Sequence, residues 1–487
     1  MNRDLVLFLL GKINFYFGFC FFIPLFVDLF YKEGLYLSYI YIIMFCFASF
    51  FLFGRKKESL KSKLKLKDVL AIMGIGILFQ CLTGTIPYLF MGSDIVTSFF
   101  ESVSGFTTTG TTSFGSIKTL PNSILTFRAL TQWIGGLSVM LSLVALVPHV
   151  GNEATNVFTA DLHGESAERI RPRTTQTVKV LITLYFVITA IIGSVLIFAG
   201  MGIESSYLHA MAIVSTGGFS TFKSSIMNID STFIHIFLIF AMLLAGGNYV
   251  LYAQVYKNGF KAIKKDAEFK AYLAVFIIAT ILITINLYLS GFGSLAKSFS
   301  DSSFHVASFL STTGFYATDY NSWPDFSKMI LFILMFIGGC AGSTAGGIKV
   351  GRIVLLLKLA WFELKRTIHP RMIISIKMAG VNIHSNMLAG ISKFFFLYMT
   401  LFAFFTIGVS LVMDVNMFSA MAYSASCLGN IGIGFNMVAP EVIIQNLTPG
   451  GMLIGTLAML FGRLEIFTLL IFLQRDFWNV RNGRVVR

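Results

Sequence analysis

Long apolar runs alternate with short polar connections along the whole chain, and the runs fall into two length classes. Runs of about 20 residues or more match the hydrocarbon thickness of a bilayer. They lie at 5–30, 35–53, 68–90, 122–147, 178–200, 231–256, 269–290, 327–362, 391–413 and 450–477, with 327–362 too long for one straight span. After the first two, each successive pair of long runs encloses a shorter one, at 93–106, 205–214, 301–310 and 417–427. The pattern predicts an all-α polytopic membrane protein. It consists of an N-terminal helical hairpin followed by four pseudo-symmetric repeats of helix, half-spanning helix, loop and helix around a central pore.

Each short run ends in a turn that carries one aligned glycine: Gly110, Gly218, Gly314 and Gly432. Two positions earlier stand Thr108, Thr216, Thr312 and Asn430, and one position earlier Thr109, Gly217, Thr313 and Ile431. Nine positions before the glycines stand Glu101, His209, His305 and Tyr423. Non-helical backbone is tolerated at membrane depth only where it is buried in protein or lines a watery path. A dehydrating cation needs a ring of oxygens in place of its hydration shell, and backbone carbonyls supply one in selectivity filters. Glycine permits the backbone angles that aim successive carbonyls at one axis, while Thr or Asn adds side-chain oxygens. A short helix ending at the turn presents its partially negative C-terminus to the ion. The twelve residues at these three positions are therefore the candidate ion-binding filter. Close packing of transmembrane helices through small residues is the competing reading for any single copy.

Composition agrees with the membrane reading: of 487 residues, 56% are hydrophobic and 12% charged. The five cysteines lie singly in apolar segments, so neither a disulfide framework nor a zinc site is indicated. The first apolar run is too long for a cleaved signal and is expected to remain as the first helix. A net charge of +14 raises the question of nucleic acid, but its placement answers otherwise. Most of the 37 Lys and Arg residues cluster at 55–67, 169–179, 257–270, 349–393 and 475–487, whereas Lys32, Lys118, Lys223, Lys297 and Lys328 lie on the opposite side. That asymmetry predicts both termini in the cytoplasm, with a lipid bilayer and no nucleic acid as partner.

Three features interrupt the apolar pattern. Residues 338–347 (GGCAGSTAGG) lie inside the third inner helix. Each glycine costs about 1 kcal/mol against alanine in a helix interior, so this stretch is expected to unwind beneath the filter. A bent, closely packed helix is the alternative. Arg463, with Glu465 nearby, interrupts the fourth inner helix. A charge at mid-bilayer costs about 2.5 kcal/mol or more, so Arg463 either faces the pathway or holds the bundle together. Arg128 in the first inner helix either braces a pore helix, pairing with Glu101, or contributes to the ion path.

With these residues in view, the chain resembles the Trk/Ktr/HKT superfamily of potassium transporters, and within it the TrkH type of bacterial subunit. The resemblance rests on 106–110 (FTTTG), 132–136 (QWIGG), 338–349 and 462–466 (GRLEI), with the extra hairpin favouring the TrkH type. It implies potassium uptake across the bacterial cytoplasmic membrane through a gated, channel-like filter, with Gly338, Gly339, Gly342, Ser343, Thr344, Gly346 and Gly347 as an intramembrane gate and Arg463 as a positive charge near its constriction. It further implies a homodimer with one pore per subunit, and a cytosolic TrkA-like nucleotide-binding ring docked on the basic face. The chain itself has no nucleotide motif, so no cofactor is expected in it; potassium is its substrate, and nucleotide belongs to the partner. The expected divisions are a hairpin and basic link at 1–67 and repeats at 68–177, 178–268, 269–390 and 391–487. A symporter coupling potassium to protons or sodium is the alternative. An enzyme is disfavoured, because the seven histidines form no HExxH and no nucleophile elbow is present.

Overall fold

The computed structural model describes residues 2–54, 65–115, 117–146, 174–369, 376–378, 381–383, 385–436, 447–464, 466–472 and 474–478. Glu465, His149, His163, His384, residues 55–64 and 169–173 of the basic links, and the end of the basic tail lie outside them. Among the described residues, seven helices are long and apolar enough to cross a membrane. The hairpin comprises Arg3–Tyr31, interrupted at Phe21, and Tyr36–Phe53. The outer helices of the repeats are Leu66–Phe90, Thr174–Phe198, Ala267–Leu289 and Ser385–Val412. They begin a few residues before the expected repeat boundaries. Side chains such as Phe186, Ile191, Ile278, Leu282, Phe396 and Phe404 on these helices are exposed, as suits surfaces solvated by lipid chains.

The half-spanning helices are Ile95–Phe106, Ile203–Val214, Leu295–Leu310 and Met417–Gly429. The third starts six residues before its expected position, because Ser294 caps it by accepting from the Lys297 amide. These short helices are wrapped by the long ones. Phe100, Val103, Ile213, Val214, Phe304, Phe309, Ala422 and Leu428 belong to one continuous buried cluster.

The inner helices depart furthest from the sequence expectation. Only the first, Asn122–Leu146, runs unbroken. The second, expected as one helix over 231–256, is Thr232–Ala245 followed by Tyr249–Asn258, with a bend of 96° between Thr232–Ala245 and Tyr249–Val255. Gly246 and Gly247 end the first piece, and the Asn248 carboxamide starts the second by accepting from the Val250 and Leu251 amides. The third breaks as expected, into Asp325–Ile337 and Val350–Ile368. The fourth, expected as one helix over 450–477, ends its first piece at Arg463 and resumes as Ile466–Phe472. A two-residue ladder, Lys377–Met378 with Val381–Asn382, lies in the link before the fourth repeat.

The hairpin is joined to the first repeat by carboxylates. Glu33 accepts from the Asn122 and Ser123 amides at 2.6 and 2.9 Å, capping the first inner helix from another segment. Asp28 accepts from the Leu35 amide at 2.9 Å and from the Ser123 hydroxyl at 3.4 Å.

Candidate ion-conducting site

All four half-spanning helices terminate in the same way. Thr108, Thr216, Thr312 and Asn430 take left-handed backbone angles, with φ of 52°, 53°, 57° and 52°. The next residue in each copy donates its amide five residues back: Thr109 to Ser104, Gly217 to Ala212, Thr313 to Ser308 and Ile431 to Ser426. This is the hydrogen bond of a Schellman cap, in which glycine usually supplies the left-handed residue. A β-branched residue there is an outlier. Three threonines held in that region, each at a cost of about 1–3 kcal/mol, are strain of the kind that persists only where the surrounding structure over-determines the conformation, and that clusters at functional sites.

The glycines follow with φ between 76° and 89°. Each lies against the neighbouring loop's carbonyl, so closely that an added Cβ would collide with it. The separation would be 2.1 Å from Gly110 to Gly217 O, 2.0 Å from Gly218 to Thr313 O, 2.0 Å from Gly314 to Ile431 O, and 2.1 Å from Gly432 to Thr109 O. The sequence of contacts returns to its start, so the four loops form one closed ring. Among the described residues, the Thr108 hydroxyl and Asn430 Oδ1 are buried without a hydrogen-bond partner. Thr216 instead donates to the Ser215 carbonyl, and Asn430 Nδ2 donates to the Thr109 hydroxyl and the Met459 carbonyl. A cavity of about 250 Å³ opens above the ring, with Gly110, Gly218, Gly314, Gly432 and Lys223 in its lining.

Two of the residues at the shared earlier offset, Glu101 and His209, reach their own loops, whereas Tyr423 reaches the fourth inner helix. Glu101 Oε1 accepts from the Ser113 amide and from the hydroxyls of Ser113 and Thr112. Its other oxygen meets Arg128 Nη1 at 2.5 Å; the two side chains are 0% and 1% exposed. Arg128 therefore braces the first loop. His209 lies 3.0 Å from the Ser220 hydroxyl, and the Tyr423 hydroxyl donates to the Gly451 carbonyl.

Beneath the ring, 338–349 runs as buried, non-helical chain. Gly338, Gly342, Gly347 and Lys349 have positive φ. Thr344 donates to the Val214 carbonyl at 3.0 Å, and the Gly346 amide donates to the Thr312 hydroxyl at 2.8 Å. A Cβ added to Gly346 would stand 2.1 Å from Gly429 O. The loop thus touches the ends of the second, third and fourth half-spanning helices at once. Arg463, 5% exposed, donates to the Thr344 carbonyl at 2.8 Å and to the Gly135 carbonyl at 3.4 Å, tying the loop to the first inner helix.

Two parts of this arrangement were not anticipated. Glu268 Oε1 accepts from the Ala341 and Gly351 amides at 2.7 and 3.1 Å and so anchors both stems of the loop. The Gly246–Asn248 break docks against it, with the Cys340 amide donating to Gly246 O and the Tyr249 amide to Gly342 O. The signals were present: an acid in the first turn of an apolar span, and a Gly-Gly-Asn inside one. Among the described residues, no cluster of His, Cys, Asp and Glu could hold a metal ion.

The family of TrkH cation transport proteins matches residues 39–478. The chain belongs to that family. It is 33% identical over 468 residues to the Trk system potassium uptake protein TrkH of Escherichia coli K12, covering 94% of this chain and 95% of that one. It is 30% identical over 464 residues to TrkG of the same organism, covering 94% of each. The crystal structure of the potassium transporter TrkH from Vibrio parahaemolyticus superimposes with a TM-score of 0.87 at 28% identity, covering 98% of this chain and 100% of that one. Family membership makes the chain a multi-pass membrane transporter and not an enzyme.

Proposed function

We propose that the chain takes up potassium through a gated, channel-like pore. The carrying observation is the closed ring of four loops that share one backbone conformation. On this reading Thr108–Gly110, Thr216–Gly218, Thr312–Gly314 and Asn430–Gly432 coordinate the dehydrated ion. The half-spanning helices, ending at the ring, add partial negative charge from their C-termini. The family relatives named as potassium uptake proteins support the choice of ion.

Residues 338–347 and Arg463 are the gate. The loop lies across the underside of the ring, and Arg463 fastens it there with an always-protonated guanidinium. Opening requires the loop to leave the Val214, Thr312 and Gly429 contacts. The loop continues through Lys349 and Arg352 into Val350–Ile368, which gives a cytosolic partner a lever on it. We assign that role to a TrkA-like nucleotide-binding ring, with the basic face inward, both termini cytoplasmic, the bacterial cytoplasmic membrane as location and the chain as a homodimer. A partner that binds the open arrangement more tightly shifts the population by no more than its differential affinity.

The test is ion flux from liposomes containing the purified chain, with and without the partner ring. Passive potassium flux that the ring increases supports the reading. Stoichiometric proton or sodium movement with each potassium would replace it with symport.

A further inference from the structure

The second filter loop lacks a side chain that its neighbours use. In the first and third loops the residue before the aligned glycine is threonine, and its hydroxyl pairs with one two residues earlier: Thr109 with Thr107, and Thr313 with Ser311, each at 2.7 Å. The second loop has Gly217 at that position, and the Ser215 hydroxyl turns back to its own helix, donating to the Met211 carbonyl. The space is nonetheless filled. A Cβ built on Gly217 would lie 2.4 Å from Gln132 Cδ and 2.5 Å from Gln132 Oε1.

Gln132 is fully buried on the first inner helix. Its Nε2 donates to the Gly217 carbonyl at 2.5 Å, and its Oε1 accepts from the Phe219 amide at 3.1 Å. One carboxamide thus holds the backbone on both sides of Gly218. One helical turn earlier on the same face, Arg128 lies 3.9 Å from the centre of the Phe219 ring. The held carbonyl is a member of the ring, the one against which Gly110 packs.

We propose that Gln132 is a positioning residue for ion preference, standing in from another repeat for the threonine that the second loop lacks. Gly217 and Gln132 form a complementary pair: glycine is required because the carboxamide occupies the threonine's place, and the carboxamide is required because glycine brings no hydroxyl to fix its loop. A carbonyl freed to move would close on the smaller sodium ion and reduce the discrimination that a fixed ring provides. The inference rests on the reading of the ring as a potassium filter.

The experiment measures potassium-to-sodium permeability ratios on reconstituted, monodisperse protein. Gln132→Met keeps the side chain's length but neither hydrogen bond, and it should lower the ratio about fivefold, the effect of one neutral hydrogen bond on a single site. Gly217→Thr alone should lose the ratio or the folded protein, because the new side chain meets Gln132. The double change Gln132→Ala with Gly217→Thr removes that collision and lets the threonine pair with Ser215, so it should recover most of the wild-type ratio. A wild-type ratio in Gln132→Met overturns the proposal, as does a double variant no better than Gly217→Thr. If Gln132→Met yields no monodisperse protein, the double variant alone decides. Gly110→Ser is the reference: an unchanged ratio there means that the filter reading itself has failed.

Discussion

If residues 338–347 gate the pore as proposed, replacing Arg463 with alanine removes the fastening between that loop and the inner helices. The guanidinium donates to Thr344 O at 2.8 Å and, more weakly, to Gly135 O at 3.4 Å. A hydrogen bond from a charged donor contributes about 1.5–3 kcal/mol net. The longer contact adds little, so about 2 kcal/mol of the closed arrangement is at stake. At 1.4 kcal/mol per factor of ten, the open-to-closed ratio should rise roughly thirtyfold, with partner-free potassium flux rising in proportion while the open population stays small. The assay is flux from liposomes, normalised to monodisperse reconstituted protein. Removing a positive charge from the pathway would also raise flux, so a second background separates the two causes. In a variant whose loop lacks Ser343 and Thr344, the latch has no partner, and Arg463→Ala should add little; a charge barrier would add its full increment in both backgrounds. Unchanged or lower flux in folded Arg463→Ala protein refutes the latch.

Shortening the loop within Ala341–Gly346 should raise partner-free flux and reduce its dependence on the ring, whereas Gly346→Leu, facing Gly429 O at 2.1 Å from its Cβ, should block flux; both are read in the same liposome assay. Glu268→Ala removes the acceptor that the Ala341 and Gly351 amides share and should raise partner-free flux several-fold, while Glu268→Gln keeps an acceptor oxygen and should stay near wild type. Arg128→Met leaves the Glu101 carboxylate buried without its ion partner and should destabilise the protein by about 3–5 kcal/mol. Adding Glu101→Gln should recover part of that loss, as measured by thermal stability in detergent.

The four half-spanning helices and their common turn were legible because one glycine recurs at equivalent points between long apolar runs, a one-dimensional signal that requires no knowledge of contacts. The unwound third inner helix was legible for the same reason, since 338–347 concentrates its glycines. The second break was not, because Gly246 and Gly247 inside an apolar run look like packing glycines until Asn248 is seen capping the next helix. The offset shared by Glu101, His209, His305 and Tyr423 was visible. The pairing of Glu101 with Arg128 was open to the sequence as well, but the hold of Glu101 on the loop was not, because it depends on Thr112 and Ser113 returning to it. Gln132 with Gly217 and Arg463 with Thr344 join different repeats. Such pairs exist only once the ring has closed, and nothing in local spacing announces them.

The central claim is that four loops of one chain make a single potassium-selective filter. Its most direct test is the reversal potential of reconstituted protein with potassium on one side and sodium on the other. The comparison is between wild type, Gly218→Ser and Gly200→Ser. Gly200 also has a left-handed backbone, at φ +95°, but nothing lies within 4 Å of an added Cβ there, whereas at Gly218 the Thr313 carbonyl is 2.0 Å away. The account predicts a potassium-favouring potential in wild type and Gly200→Ser and its collapse toward zero in Gly218→Ser. Equal potentials in the two glycine variants would contradict it.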